Sequence, residues 1–268
     1  MVSKVAIVEF DNGDVKGAFL RALELIGGID NLNTTKKTVV IKPGVYHHKK
    51  KNHPTSETLS AIVKGFDRAK QVFVVESDNY KGTGSERLEI WREVFTKRVV
   101  PFNLSEDTNT KKATIAGEEI GLSHVLFKPN VFVSVHVLRK TEMGSILKNL
   151  LGLMPGPKKA RFHKKLPIVL MDAYEAIGGI DLAVIDGTMA YKTITSDKGV
   201  RTNVIIVGRD AVAVESVGAV IMGVKLEKMP ILQEAVRRGL GESDPEKIQV
   251  LGASVDGVKE KLKKPSSS

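Results

Sequence analysis

The sequence predicts an α/β protein: a mostly parallel, mixed sheet with helices on both faces, plus a small antiparallel hairpin. Three observations predict it. Short β-branched runs recur, closed by Asp, Gly or Pro and mostly followed by amphipathic segments. One run, residues 131–138 (VFVSVHVL), is dense enough in apolar side chains for a central strand covered on both faces. The segment TIAGEEIGL, residues 114–122, instead reads as two short runs around Ala116-Gly117-Glu118, the mark of a hairpin attached to the main sheet.

The elements follow in order. Residues 5–10 form a strand that Asp11-Asn12-Gly13 ends; Asp14 suits the N-cap of a helix over 15–26, which Gly27-Gly28 terminates. Residues 38–41 (TVVI) complete a β-α-β unit, so these two strands are expected to run parallel. Lys42-Pro43-Gly44 closes the second strand, and residues 46–51 (YHHKKK) make a basic loop. Thr55 or Ser56 caps a helix over 57–69, residues 72–75 are a third strand ending at Glu76-Ser77-Asp78, and residues 86–95 return to helix with the single Trp91. A fourth strand at 99–102 precedes the hairpin.

Beyond the central run, a helix over 167–177 stops at Gly178-Gly179, and strands at 182–185 and 204–207 end at Asp186-Gly187 and at Gly208-Arg209-Asp210. Asp210 then caps a helix over 211–222 whose small side chains imply close packing on the sheet, and a shorter helix over 230–238 and an edge strand at 248–251 follow. Residues 1–255 read as one domain without a linker, and residues 256–268 as a polar tail disordered at its end.

Composition narrows the function classes. The chain has 268 residues and no cysteine, which excludes disulfides, thiol nucleophiles, cysteine-bound zinc and a cysteine-ligated iron–sulfur cluster. No apolar run approaches the roughly 20 residues that span a bilayer, and the N-terminus lacks signal-peptide architecture, so a soluble, cytoplasmic protein is expected. The net charge of +10 suits phosphate-bearing partners, although a lysine-rich surface laced with ion pairs would give the same balance. Neither GxxxxGK[ST], nor GxGxxG after the first strand, nor GxSxG occurs, which argues against common nucleotide enzymes and serine hydrolases.

The stretch from Arg139 to Lys165 (RKTEMGSILKNLLGLMPGPKKARFHKK) concentrates cations and glycine–proline turns with little acid to balance them, and is expected to bind an anion. In open α/β sheets ligands sit outside the carboxyl ends of parallel strands. The residues there are Lys42, Glu76, Asp186 and Asp210, with Lys148, Asn149, Arg161 and His163 on the long loop. Lys42, Lys148 and Arg161 would fix the anion, Asn149 would donate a hydrogen bond, and His163, depressed by neighbouring cations, would act as acid or base. Glu76, Asp186 and Asp210 could hold a divalent metal such as magnesium. The plainer readings are a helix cap for Asp210, a turn for Asp186, an ion pair for Glu76 and a core position for His136. A second possibility is nucleic-acid association through the basic loops at 47–51 and 158–165, which would then share one face; a third is a non-catalytic scaffold or assembly factor.

Several segments in order — IKPGV, HPTSETLSAIV, VVES, ILKNLLGLMPG with ARFH, LAVIDG, GRDAVAVESVGAVIMG and RRGLGESDPEKIQVLG — make the chain resemble the prokaryotic family catalogued as domain of unknown function 362. The resemblance matches the family's recurring polar residues to Lys42, Glu76, Lys148, Asn149, His163, Asp186 and Asp210. Some members carry a ferredoxin-like iron–sulfur module that this sequence lacks. It also departs from the family in reading Arg139-Lys140-Thr141-Glu142 where a lysine-threonine-histidine is usual, TMAYKTITSDKG after Asp186-Gly187, and Glu215 where a second aspartate is expected.

Overall fold

The computed structural model describes residues 2–263. Its strands are β1 (Ser3–Glu9), β2 (Val39–Pro43), β3 (Val72–Glu76), β4 (Val99–Asn103), β5 (Thr110–Ile115), β6 (Glu118–Ser123), β7 (Val131–Arg139), β8 (Leu182–Tyr191), β9 (Gly199–Gly208) and β10 (Ile248–Gly252). Eight of them form one sheet in the order β10-β1-β9-β8-β7-β2-β3-β4. Only β9 opposes the rest: it pairs antiparallel with β1 and β8, while every other neighbouring pair is parallel. The expected β-α-β start is thus parallel in sense, but β1 and β2 lie four positions apart.

The alternation of side chains along each strand builds two cores. From β7, Val131, Val133 and Val135 face one side with Val39 and Ile41 of β2, and Phe132 and Leu138 face the other with Val40. The first side is covered by α1 (Val15–Leu25), α2 (Ser56–Gly65) and α3 (Gly84–Leu88), and the second by α4 (Leu166–Ala176), α5 (Ala211–Ile221), α6 (Pro230–Arg237) and α7 (Val255–Lys263). All nine residues of β7 are buried, as its near-continuous apolar text demands of a central parallel strand.

Four expectations change. The hairpin β5–β6 forms its own two-stranded sheet instead of extending the main one; it docks on α4, where Ala116 N donates to Asp172 at 2.6 Å. The segment expected to be helical over 86–95 is a short α-helix followed by a 3-10 turn, Glu89–Val94. The two strands expected at 182–185 and 204–207 each run to 10 residues, because the β-branched and aromatic residues beyond Asp186 and before Val204 continue the ladder as a long hairpin. Residues from Val255 to Lys263 are helical, with Val258 fully buried, and the disordered end expected of the polar tail falls at 264–268, outside the described residues.

The β8–β9 hairpin decides where the site is. A connection of seven residues cannot cross over to a parallel strand, so β9 returns antiparallel. Strand order also reverses between β2, which continues to β3 and β4, and β7, which continues to β8 and β9. That reversal opens a crevice outside the carboxyl ends of β2 and β7.

Candidate functional site

A cavity of about 700 Å³ occupies this crevice. Its floor comes from the ends of β2, β3 and β7, and its wall from the loop that follows β7. Seven lysine and arginine side chains line it against a single carboxylate, Glu76.

The floor is a closed network. Lys42, 2 % exposed, donates to Glu76 Oε2 at 3.0 Å, to Asn149 Oδ1 at 3.0 Å and to the Pro43 carbonyl at 2.8 Å, which uses all three ammonium protons. Glu76 also pairs with Arg87 of α3 at 3.2 Å and accepts from Ser77 N at 2.9 Å. Arg87 in turn donates to the carbonyls of Val45 and Ser77. Burial pulls the Lys42 ammonium below its usual range, while Glu76 opposes that pull and Arg87 adds to it.

Asn149 ties the long loop to this floor. Its amide donates to the Lys42 carbonyl at 2.6 Å, to Ser134 Oγ at 3.2 Å and to the Val135 carbonyl at 3.3 Å. The hydrogen bond expected of it toward a ligand is therefore spent on the strands. Gly152 lets the loop pass directly above: a Cβ there would lie 2.5 Å from Lys42 Cε and 3.1 Å from Glu76 Oε1. Gly44 does the same for His136, whose Cδ2 would sit 2.0 Å from an added Cβ.

The loop is an anchored wall. Ile146, Leu147, Leu150, Leu153, Met154 and Phe162 are all buried in the core on the α4 side. Glu215 of α5 holds its first turn, accepting from Ser145 N at 2.8 Å and from Leu147 N at 2.9 Å. Burial raises the carboxyl of Glu215, and those backbone donors, with Arg139, pull the other way.

The wall's cations are far less satisfied than the floor's. Arg139, 7 % exposed at the end of β7, has His136 Nε2 at 3.4 Å as its hydrogen-bond partner, and its Nε has none among the described residues. Burial lowers the guanidinium to about 10, opposed by Glu215, so it remains charged at neutral pH. Burial and Arg139 together hold His136 well below its usual range, which leaves a neutral imidazole. The partner of Lys148 among the described residues is the Met143 sulfur at 3.6 Å, and burial followed by Arg139 lowers its ammonium. Lys159, 8 % exposed, donates to Ser77 Oγ, which itself donates a hydrogen bond to the Gly152 carbonyl. At the mouth stand the exposed Arg161, paired with Glu118 at 3.0 Å, and His163, whose Nδ1 lies 3.1 Å from the Ala160 carbonyl.

Of the residues the sequence singled out, Lys42, Glu76, Lys148, Asn149, Arg161 and His163 line this one cavity. Two do not. Asp186 lies inside the lengthened β8, where it accepts from Thr55 N at 2.7 Å and Thr55 Oγ1 at 2.9 Å and so fixes the start of α2. Asp210 follows an antiparallel strand and therefore lies at the opposite rim, beside Ser3 at the start of β1. It caps α5, accepting from Val212 N and Ala213 N at 3.0 Å. The three carboxylates expected to share a metal are thus separated. Among the described residues no group of three His, Cys, Asp or Glu side chains is placed to hold a metal ion, and no helix is long and apolar enough to cross a membrane.

The sequence pattern left Arg87 unmarked, offered a core position for His136, and included Arg139 and Lys159 only as members of longer basic stretches. Arg139 had a legible signal, since it is itself the last residue of a parallel strand. Lys159 had none that separates it from its neighbours Lys158, Lys164 and Lys165.

A family model described as Domain of unknown function (DUF362) matches residues 39–220, a span holding every residue of the cavity. Among solved structures, the lactate racemase apoprotein from Thermoanaerobacterium thermosaccharolyticum is similar with a TM-score of 0.46 at 13 % identity, over 78 % of this chain and 54 % of that one. This chain thus spans about half the length of that protein. No curated protein matches the sequence.

Proposed function

We propose that this chain, which belongs to the DUF362 family, binds a small phosphate- or carboxylate-bearing anion in the cavity at the ends of β2, β3 and β7. One observation carries the reading: Arg139 is buried in the cavity wall with no carboxylate of the described residues in hydrogen-bonding reach. Burial outweighs the pull of Glu215 on this guanidinium, and since burying an ion costs several kcal/mol, an anion that accepts directly from it recovers part of that cost. Lys148 supplies a second underused cation beside it, while Arg161 and His163 meet the ligand at the mouth. Glu76 adds no net negative charge toward the ligand, since Lys42 and Arg87 already flank it.

The test is a thermal-unfolding series with inorganic phosphate, pyrophosphate and small dicarboxylates, repeated on Arg139→Met. A ligand that binds only the folded state raises the melting temperature with concentration. Charge-assisted hydrogen bonds of about 1.5–3 kcal/mol imply a loss on the order of ten- to a hundredfold in affinity for the variant. No shift with any of these anions would sink the reading.

A longer polyanion such as a nucleic-acid backbone is the second reading, favoured by one feature. Lys158, Arg161 and His163 of the second basic loop border the cavity together with Tyr46, which leads into the first. That reading requires affinity for an oligonucleotide whose logarithm falls steeply with that of salt concentration; a flat dependence rejects it.

A further inference from the structure

We propose that Lys159 is an imine-forming amine and that the cavity takes anions which also carry an aldehyde or ketone carbonyl. This deepens the anion-binding reading and rests on it. Two buried lysines, Lys42 and Lys159, line the same cavity. Lys42 gives its three protons to three acceptors, one of them a carboxylate, which fixes it as an ammonium. Lys159 is almost as deeply buried, yet its hydrogen-bond partner among the described residues is a single hydroxyl, Ser77 Oγ. That hydroxyl is itself committed to the Gly152 carbonyl, so it holds the lysine nitrogen in place without supplying a counter-charge.

Only the free amine attacks a carbonyl. Burial brings Lys159 down to about 7, with Arg87 and Lys42 adding to the effect and Glu76 and Asp78 opposing it. About half of it is therefore unprotonated near neutral pH. Arg139 and Lys148 on the same wall would take the anionic group and hold the carbonyl in the cavity. In the step itself the nitrogen lone pair forms the C–N bond and the amine gives up its two protons, which the carbonyl oxygen collects. That oxygen leaves as water while the C=N bond forms. No oxidant, reductant or metal enters the balance.

Pyridoxal 5′-phosphate combines an aldehyde with a phosphate and serves as the probe on the full chain. Its retention is measured by equilibrium dialysis, and the imine is then trapped with borohydride and mapped by peptide mass spectrometry. One adduct per chain at Lys159 is expected, blocked by excess inorganic phosphate. After allowing for lower nucleophilicity, it should form on the order of a hundred times faster than at surface lysines of ordinary pKa. Lys159→Met should retain the probe and lose the adduct; if that variant does not fold, the map of the unaltered chain decides. Probe retained but unreduced, or marking other lysines, overturns the imine and leaves anion binding standing. Probe not retained, with no thermal shift by phosphate, overturns both.

Discussion

The floor and the wall of the cavity are both cationic and both buried, yet they are built on opposite terms. On the floor, Lys42, Arg87, Glu76 and Asn149 satisfy one another, and each main interaction stays within the chain. On the wall, Arg139, Lys148 and Lys159 together have a ring nitrogen, a thioether and a hydroxyl as partners. Charge count alone does not distinguish the two regions; satisfaction does. A closed network rigidifies the strand ends, and an open one leaves an electrostatic deficit that a ligand can fill.

The largest effect is expected from breaking the floor. Glu76→Gln keeps the shape but leaves Lys42 and Arg87 without their shared counter-charge at a nearly inaccessible position. Removing one partner of a buried pair costs about 3–5 kcal/mol. Urea unfolding should show a lower midpoint with an unchanged slope, since the surface exposed on unfolding stays the same. An unaltered midpoint would mean that the network is not what holds the floor.

The wall should answer differently, through pH. An unfolded chain keeps Lys159 protonated up to its ordinary value of 10.5, whereas the folded chain gives up that proton at about 7. Between those values the unfolded state binds more protons, so this group makes stability rise with pH across the window and contributes no slope below or above it. Lys159→Met removes the contribution. The unfolding free energy of the unaltered protein minus that of the variant should rise with pH across the window, by at most about 1.4 kcal/mol per unit. Subtraction matters because Lys42 and Lys148 are lowered by burial as well. Parallel curves would show that Lys159 is no more perturbed than a surface lysine.

The same contrast explains what the sequence could and could not disclose. Strand ends are legible because β-branched runs stop at turn residues, and that rule found Lys42 and Glu76 on their true rim. It misplaced Asp210 because strand direction is not written in a strand; it follows from the seven-residue connection between β8 and β9, whose true lengths were hidden by a polar Asp186 in mid-strand. Asn149 was read as a ligand donor because its type and position fit, but whether a side chain's hydrogen bonds are already taken is a property of the packed structure. Lys159 differs from Lys158 in burial alone, and the turn that buries it leaves no periodicity to read.

Asp210 gives the smallest effect and the sharpest control, because it carries the same charge as Glu76 at the other end of the sheet. Its Oδ1 accepts from Val212 N and Ala213 N, and its Oδ2 from Ser3 Oγ and Glu242 N. Replacing it with alanine should cost about 1–2 kcal/mol, the upper range for an N-cap, while asparagine, a good cap in its own right, should restore most of that. Neither substitution should change affinity for any anion that binds at Arg139, since the cap and the cavity lie on opposite rims. Asp210→Ala raises the net charge of +10 by one and Arg139→Met lowers it by one. If Asp210→Ala strengthened anion binding as much as Arg139→Met weakened it, the ligand would be reading the net charge of the protein, and the unsatisfied wall would lose its special role. If only the wall variant weakens it, local satisfaction rather than overall charge selects the ligand.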